Sequence, residues 1–246
     1  MRPARPSGGR PVPGQRSSPA APAARLGEVD TARGVAIILM LISNLQFDLA
    51  YFAGFSFSPE WTVLARATAA LFLLLVGVSL TLSRARGPRP GKFVKRGLRI
   101  FGYGLVVTAA SWVAVGDSLI LFGILHLIGI AIILSVPLLA RPVAAAVAGV
   151  LVIIAGLATA WPTWLLWLGP ATGYFSVDYT PLLPWWGVVL LGIAAGHTLF
   201  PGGRGRGTSD RFRALPLRVL AGLGRRSLLI YLIHQPIFLA LITLVF

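Results

Sequence analysis

Seven long apolar runs dominate this chain of 246 residues and restrict the folds open to it. Each run is about twenty residues long, which is the length an α-helix needs to cross the hydrocarbon core of a bilayer. The chain is 56% hydrophobic and 12% charged, whereas roughly a quarter of the residues in a soluble domain are charged. The sequence therefore predicts an all-α integral membrane protein, a polytopic helix bundle. Its spans are predicted near 33–54, 61–83, 97–115, 118–139, 143–161, 182–200 and 227–246.

The charges between the runs predict the orientation of the bundle. Lysines and arginines collect in the N-terminal region, between the second and third runs, at Arg141, and between the sixth and seventh runs. With seven spans, all these segments fall on one side. The opposite loops, near 55–60, 116–117 and 162–181, contain neither lysine nor arginine. The positive-inside rule then places the N-terminus in the cytoplasm and predicts a multi-pass protein of the cell membrane.

Two segments outside the spans have distinct compositions. Residues 1–27 have almost no large apolar side chains, so we predict a disordered basic cytoplasmic tail before one transmembrane domain at 28–246. Residues 211–224 alternate basic and apolar side chains, as in a helix that lies in the inner membrane interface. The net charge of +15 follows the membrane topology, so no nucleic-acid partner is expected.

Four polar side chains fall inside the predicted spans, in their outer halves: Asn44, Asp48, Arg66 and His126. Such residues in a membrane usually face a bundle interior or a watery cavity. Asp48 and Arg66 are at matched depths, which predicts an ion pair. His126 is about 10 Å below the outer end of its helix, near the level of Asn44. They form either one shared cavity or separate hydrogen bonds that hold helices together.

A second polar group lies in the last span, where Tyr231, His234 and Gln235 precede Pro236. Proline cannot donate the usual helical hydrogen bond, so a backbone carbonyl is freed there. The group is either the cytoplasmic half of a substrate path or a hydrogen-bonded kink. His197, near the inner end of the sixth span, is open to the same two interpretations. No spacing typical of metal ligands occurs, and the chain has no cysteine.

Four segments resemble one known family. VDTARGVAIILMLISN resembles the opening helix of the heparan-alpha-glucosaminide N-acetyltransferase catalytic domain and its prokaryotic relatives. FGILHLIGIAIIL, DYTPLLPWWGVVLLGIAAG and LGRRSLLIYLIHQPI are similar to later segments of the prokaryotic group, in the same order. The resemblance implies a membrane acyltransferase that takes an acetyl group from acetyl-CoA on the cytoplasmic face. It would deliver that group to an amino sugar or glycan on the other face.

The resemblance also implies site residues. In the animal enzyme of this family, an asparagine in the first conserved helix and a histidine just beyond it are the proposed active-site pair. The asparagine falls on Asn44, but YFAGFSFSPEW, at 51–61, has no histidine. His126 is therefore our predicted substitute base, with Asn44 as a hydrogen-bond donor to the acetyl oxygen, Arg66 as an added charge and Asp48 as an orienting group.

Basic residues at the inner ends of the first and third spans are candidates for binding coenzyme A. Arginine and lysine side chains suit the phosphate groups of that molecule. The candidates are Arg33, Lys95, Arg96 and Arg99. The alternative is that these charges only satisfy the positive-inside rule.

Two other functions remain open from the sequence. A small-solute transporter could use the same polar groups, although the internal repeat typical of many transporters is not evident. A noncatalytic membrane subunit would explain the missing histidine. The lipid bilayer is the predicted partner, and a homo-oligomer is compatible with the sequence.

Overall fold

The computed structural model describes residues 26–56, 58–87, 89–115, 119–174, 176, 178–204 and 214–245. Most of the described residues are helical, and none forms a strand, which confirms the all-α prediction. The predicted tail lies outside the described residues up to position 25. The helices are α1 (Gly27–Ala53), α2 (Pro59–Ala85), α3 (Pro90–Val115), α4 (Ile124–Leu134), α5 (Pro142–Ala158), α6 (Leu182–Leu199), α7 (Leu215–Arg225) and α8 (Ser227–Val245).

Four of the described helices, α1, α2, α6 and α8, are long and apolar enough to cross a membrane. Helices α4 and α5 are apolar but have only 11 and 17 residues. The predicted fourth span, 118–139, is shortened at both ends: α4 begins only at Ile124, and Pro137 follows it in a 3-10 turn at Val136–Leu138. A proline disfavours helix at the residue before it. The count of seven spans and the cytoplasmic N-terminus remain predictions.

The bundle is held together where glycines let helices approach closely. Helix α2 packs against α6, α5 packs on the other side of α6, and α3 pairs with α4. A Cβ atom at Gly77 would overlap the carbonyl oxygen of Val189, and one at Gly192 would overlap that of Leu74. Small residues at helix crossings are typical of membrane bundles, where close van der Waals packing replaces the hydrophobic effect.

Helix α7 covers residues for which the sequence predicted an interfacial helix. It packs along the first half of α1, so closely that a Cβ atom at Gly34 would overlap the carbonyl of Leu220. Gly224, near the end of α7, meets the carbonyl of Asp30 in the same way. Helix α8 begins at Ser227, directly after α7. Because α8 follows α7 at once, the packing of α7 on α1 anchors the start of α8.

Candidate active site

Asn44 of α1 contacts His234 of α8, 190 residues further along the chain. Asn44 Nδ2 lies 2.8 Å from His234 Nε2 and 3.1 Å from the sulfur of Met40. Met40, Asn44 and Asp48 are spaced four residues apart, so they lie on one face of α1. His234 is 5% exposed. The structure therefore gives Asn44 a histidine partner that comes from the last described helix.

The hydrogen bonds of His234 define the state of its ring. Nδ1 lies 2.6 Å from the backbone carbonyl of Tyr231, and a carbonyl can only accept. Nδ1 therefore carries a proton and donates it. In a neutral imidazole this leaves Nε2 with a lone pair, which accepts the N–H of Asn44. A lone pair on the nitrogen that faces Asn44 is what a general base requires.

Asp48, one turn after Asn44, bonds to the same part of α8. Its Oδ1 accepts a 2.8 Å hydrogen bond from Gln235 Nε2, and its Oδ2 has no hydrogen-bond partner. The predicted ion pair with Arg66 is wrong, because Asp48 points to α8 while Arg66 is an exposed residue of α2. Among the described residues, the one ion pair within 4.0 Å joins Arg33 and Asp30, at 3.4 Å.

Asp178 connects the segment before α6 to the same region. Its Oδ2 accepts a 2.5 Å bond from the hydroxyl of Tyr231 and a 3.2 Å bond from the backbone N–H of Ile124. Burial raises the pKa of Asp178 to about 6, although the bond from Tyr231 and the bond from Ile124 act in the opposite direction. The sequence analysis did not single out this aspartate as a site residue.

Two cavities adjoin these side chains, and the larger, about 670 Å³ in volume, is rich in arginine. Three of the predicted coenzyme A residues, Arg33, Arg96 and Arg99, line it, and Lys95 does not. Arg96 and Arg99 are three positions apart and share a helix face, whereas Lys95 is turned about 100° from Arg96. Arg33 also donates to Ser79 and pairs with Asp30. Two further arginines in the wall are Arg66 and Arg225.

The smaller cavity, about 220 Å³ in volume, lies between α1, α3 and α8. Asp48, His234 and Gln235 line it, together with mostly apolar side chains. Asn44, Asp178 and Tyr231 line both cavities. These three side chains therefore form a shared wall, and His234 sits behind Asn44 on the side of the smaller cavity.

His126 occupies a different place from the one that the depth argument predicts. Its Nδ1 accepts the backbone N–H of Gly123 at 3.2 Å, which caps the start of α4, and its Nε2 lies 3.4 Å from Thr108 Oγ1. The ring stacks on Phe122 with centroids 5.6 Å apart, and it is 2% exposed. His126 lines neither of the two cavities. The structure therefore brings Asn44 and Asp48 together with His234 and not with His126.

The remaining histidine also has a local partner. His197 Nε2 lies 2.9 Å from the carbonyl oxygen of Leu139, so it joins the end of α6 to the turn before α5. The signal that could have identified His234 is the stretch YLIHQP, which places Tyr231, His234 and Gln235 at helical spacings of three and four. Three polar groups on one face of an apolar helix indicate a polar surface opposite them.

The apolar helices and this internal polar site define a membrane protein with a buried candidate active site. A family model described as "Heparan-alpha-glucosaminide N-acetyltransferase, catalytic" matches residues 25–236. The chain belongs to this family, which makes it a relative of membrane acetyltransferases. The match includes Asn44, Asp178 and His234. No curated protein and no solved structure matches the chain.

Proposed function

We propose that this protein acetylates an amine, with acetyl-CoA in the larger cavity as donor and an amino-sugar-type acceptor in the smaller one. The observation that carries this proposal is the 2.8 Å contact between Asn44 and His234 at the wall between the two cavities. It supplies a hydrogen-bond donor and a base side by side, which are the two groups that acyl transfer to an amine needs.

The larger cavity suits the donor in both charge and size. Its arginines can bind the phosphates of coenzyme A through paired N–H groups. Its volume of about 670 Å³ is in the usual range for a small-molecule site. The hydroxyls of Thr68 and Ser176 also line it, buried and without a hydrogen-bond partner, so a ligand can use them. Arg33 and Asn44 are eleven residues apart on α1, which is about 16 Å.

The transfer can be written with these residues alone. The acceptor nitrogen attacks the thioester carbonyl, a C–N bond forms, and the C–S bond to coenzyme A breaks. His234 Nε2 takes the proton that the amine loses and passes it to the departing thiolate. Asn44 Nδ2 donates to the carbonyl oxygen while that oxygen carries negative charge. In this scheme the amide of Asn44 turns from His234 toward the substrate.

The orientation of the reaction follows from the predicted topology. The arginine-rich ends of α1 and α3 belong to the side that carries most of the basic residues, so coenzyme A would enter from the cytoplasm. The acceptor would then be bound from the opposite side of a cell membrane.

The test compares three variants of the purified protein in detergent. Acetyl transfer from acetyl-CoA to glucosamine and acetyl-CoA binding are measured separately. Asn44→Ala should lower the turnover rate on the order of 10²–10³-fold, as for loss of an oxyanion donor, and leave binding nearly intact. His234→Ala should lower it on the order of 10²–10⁴-fold. His126→Phe, which keeps the ring packing, should retain most of the turnover.

The outcomes separate the alternatives. A protein that binds no acetyl-CoA is not this enzyme, and the transporter and subunit interpretations then take precedence. Turnover that survives in His234→Ala but is lost in His126→Phe would return the role of base to His126. Equal loss of turnover in His234→Ala and His126→Phe, with intact acetyl-CoA binding, would contradict the assignment of one histidine as the base.

A further inference from the structure

Asp48 is a buried carboxylate with one oxygen left unused. The residue is 0% exposed, and only Oδ1 has a partner, the amide of Gln235. Buried polar atoms in folded proteins nearly always have a hydrogen-bond partner, because an unsatisfied one costs the full desolvation of that group. An orphan carboxylate oxygen in a cavity wall indicates that a donor group belongs to a ligand of that cavity.

The smaller cavity has the opposite charge character to the larger one. Its described lining residues include two carboxyl groups, Asp48 and Asp178, and no lysine or arginine. Most of the remaining wall is apolar, with Phe47, Phe52 and Leu239 as examples. In such surroundings charges interact strongly, so a sulfate or phosphate group would be repelled, whereas an ammonium or hydroxyl group would be attracted. The volume of about 220 Å³ suits a ligand of roughly one sugar ring.

We propose that the smaller cavity selects an amine acceptor without sulfate or phosphate groups, and that Asp48 Oδ2 accepts a hydrogen bond from an acceptor hydroxyl or ammonium. This inference rests on the proposed acetyl transfer and names the acceptor that the site would take. Asp48 follows Asn44 by one helical turn, so the group it binds is about 6 Å along the helix from the reacting amine. Asp48 is thus an acceptor-binding residue, and Asp178 adds to the exclusion of anions.

The first experiment needs no substitution. The purified full chain is given acetyl-CoA with glucosamine or with glucosamine 6-sulfate, and initial rates give kcat/KM for each. We expect at least a tenfold preference for the unsulfated acceptor. Equal use of the two acceptors, or preference for the sulfated one, would overturn the inference and leave the acetyltransferase proposal intact. Failure to bind acetyl-CoA would overturn the proposed function and this inference with it.

The second experiment tests Asp48 itself. Asp48→Asn keeps the shape of the side chain. If its amide nitrogen takes the place of Oδ2, a donor replaces the free acceptor; if it takes the place of Oδ1, the hydrogen bond from Gln235 is lost. The KM for glucosamine should rise on the order of tenfold or more, as for loss of a hydrogen bond to a charged group, with the Kd for acetyl-CoA unchanged. The ratio of kcat/KM for glucosamine to kcat/KM for glucosamine 6-sulfate should also fall. Glu60→Gln, which removes an exposed carboxylate at the start of α2, is the matched control and should change neither value.

An unchanged KM in Asp48→Asn would show that Asp48 does not bind the acceptor. A variant that fails to fold would lose acetyl-CoA binding as well, and the comparison of the two acceptors on the wild-type protein then decides the inference alone.

Discussion

Asp178 joins three parts of the molecule through a single carboxyl group. Oδ2 accepts from Tyr231 on α8 and from the N–H of Ile124 at the start of α4, while its own backbone lies before α6. A Cβ atom at Gly123 would lie only 2.5 Å from Oδ2, so α4 approaches the carboxyl group closely. The raised pKa of about 6 means that the folded protein holds the proton of Asp178 more tightly than the unfolded chain does.

This difference predicts a dependence of stability on pH. Between about pH 4 and pH 6 the unfolded chain releases the Asp178 proton, from its ordinary pKa of 3.8, while the folded protein keeps it. Rising pH therefore favours unfolding in that window, and the effect is constant above about pH 6. The Tm of the wild type minus that of Asp178→Asn should fall from pH 4 to pH 6 and then level off, as measured by thermal unfolding in detergent.

The same comparison with Glu60→Gln serves as the control. Glu60 is exposed at the start of α2, so its removal should give no such fall. A difference between wild type and Asp178→Asn that rises over pH 4 to 6 would mean that the folded protein favours ionised Asp178.

At the scale of single residues, the sequence predicted some members of the site and not others. Asn44 and Arg33, two of the predicted site residues, both line the larger cavity, because polar and basic side chains in an apolar helix usually face a bundle interior or a cavity. Asp48 was assigned to the wrong partner since matched depth fixes a level along the bundle but not a direction around the helix. His126 was misplaced for the same reason. Its ring points to the start of α4, where it caps the helix, and not toward Asn44.

Among the elements, α7 anchors the start of α8. Its glycines, Gly224 above all, let it pack directly on the backbone of α1 at Asp30. Helix α8 begins three residues after Gly224, and His234 follows seven residues after Ser227, or about 10 Å along the axis. The packing of α7 on α1 thus anchors the start of α8, and the position of His234 depends on that anchor.

Two glycines of α7 give a matched test of this dependence. Gly224→Ala would place a methyl group on the carbonyl of Asp30, so it should lower the Tm and weaken the turnover by shifting α8. Gly222→Ala meets only the far end of the Arg225 side chain, at 3.8 Å, and should stabilise the helix by roughly 0.5–1 kcal/mol. Thermal unfolding and acetyl transfer are measured on both variants. Equal behaviour of the two would contradict a role for α7 in anchoring α8.

The elements also show why the sequence did not pair Asn44 with His234. Counting residues from the membrane surface put Asn44 in the outer half of its span and His234 in the inner half. That count assumed that both helices begin at the same depth. Packing of α7 against α1 is a tertiary contact between distant parts of the chain, and hydropathy carries no signal for it.

For the whole molecule, the predicted orientation places the loop before α6 outside the cell and the segment after α6 in the cytoplasm. The chain contains no cysteine, so single cysteines can be introduced without background. Thr172 and Arg204 are both exposed, the first in the loop before α6 and the second after it. In intact cells, Thr172→Cys should react with an impermeant maleimide from outside, and Arg204→Cys should react only after permeabilisation. The reverse pattern would invert the predicted topology. Equal labelling of the two cysteines would place residues 172 and 204 on the same side of the membrane, which excludes a single span between them.

The separation of Asn44 and His234 by 190 positions has a consequence for biosynthesis. During translation α1 leaves the ribosome long before α8 is made, so the first part of the bundle inserts while its histidine does not yet exist. Arg225 and Tyr231 also line the larger cavity, so a nascent chain that lacks α7 and α8 has neither the complete wall of that cavity nor the histidine partner of Asn44. Under the proposed acetyl transfer, docking of α8 is the step that completes the site, so half-made copies would not consume activated acetyl groups.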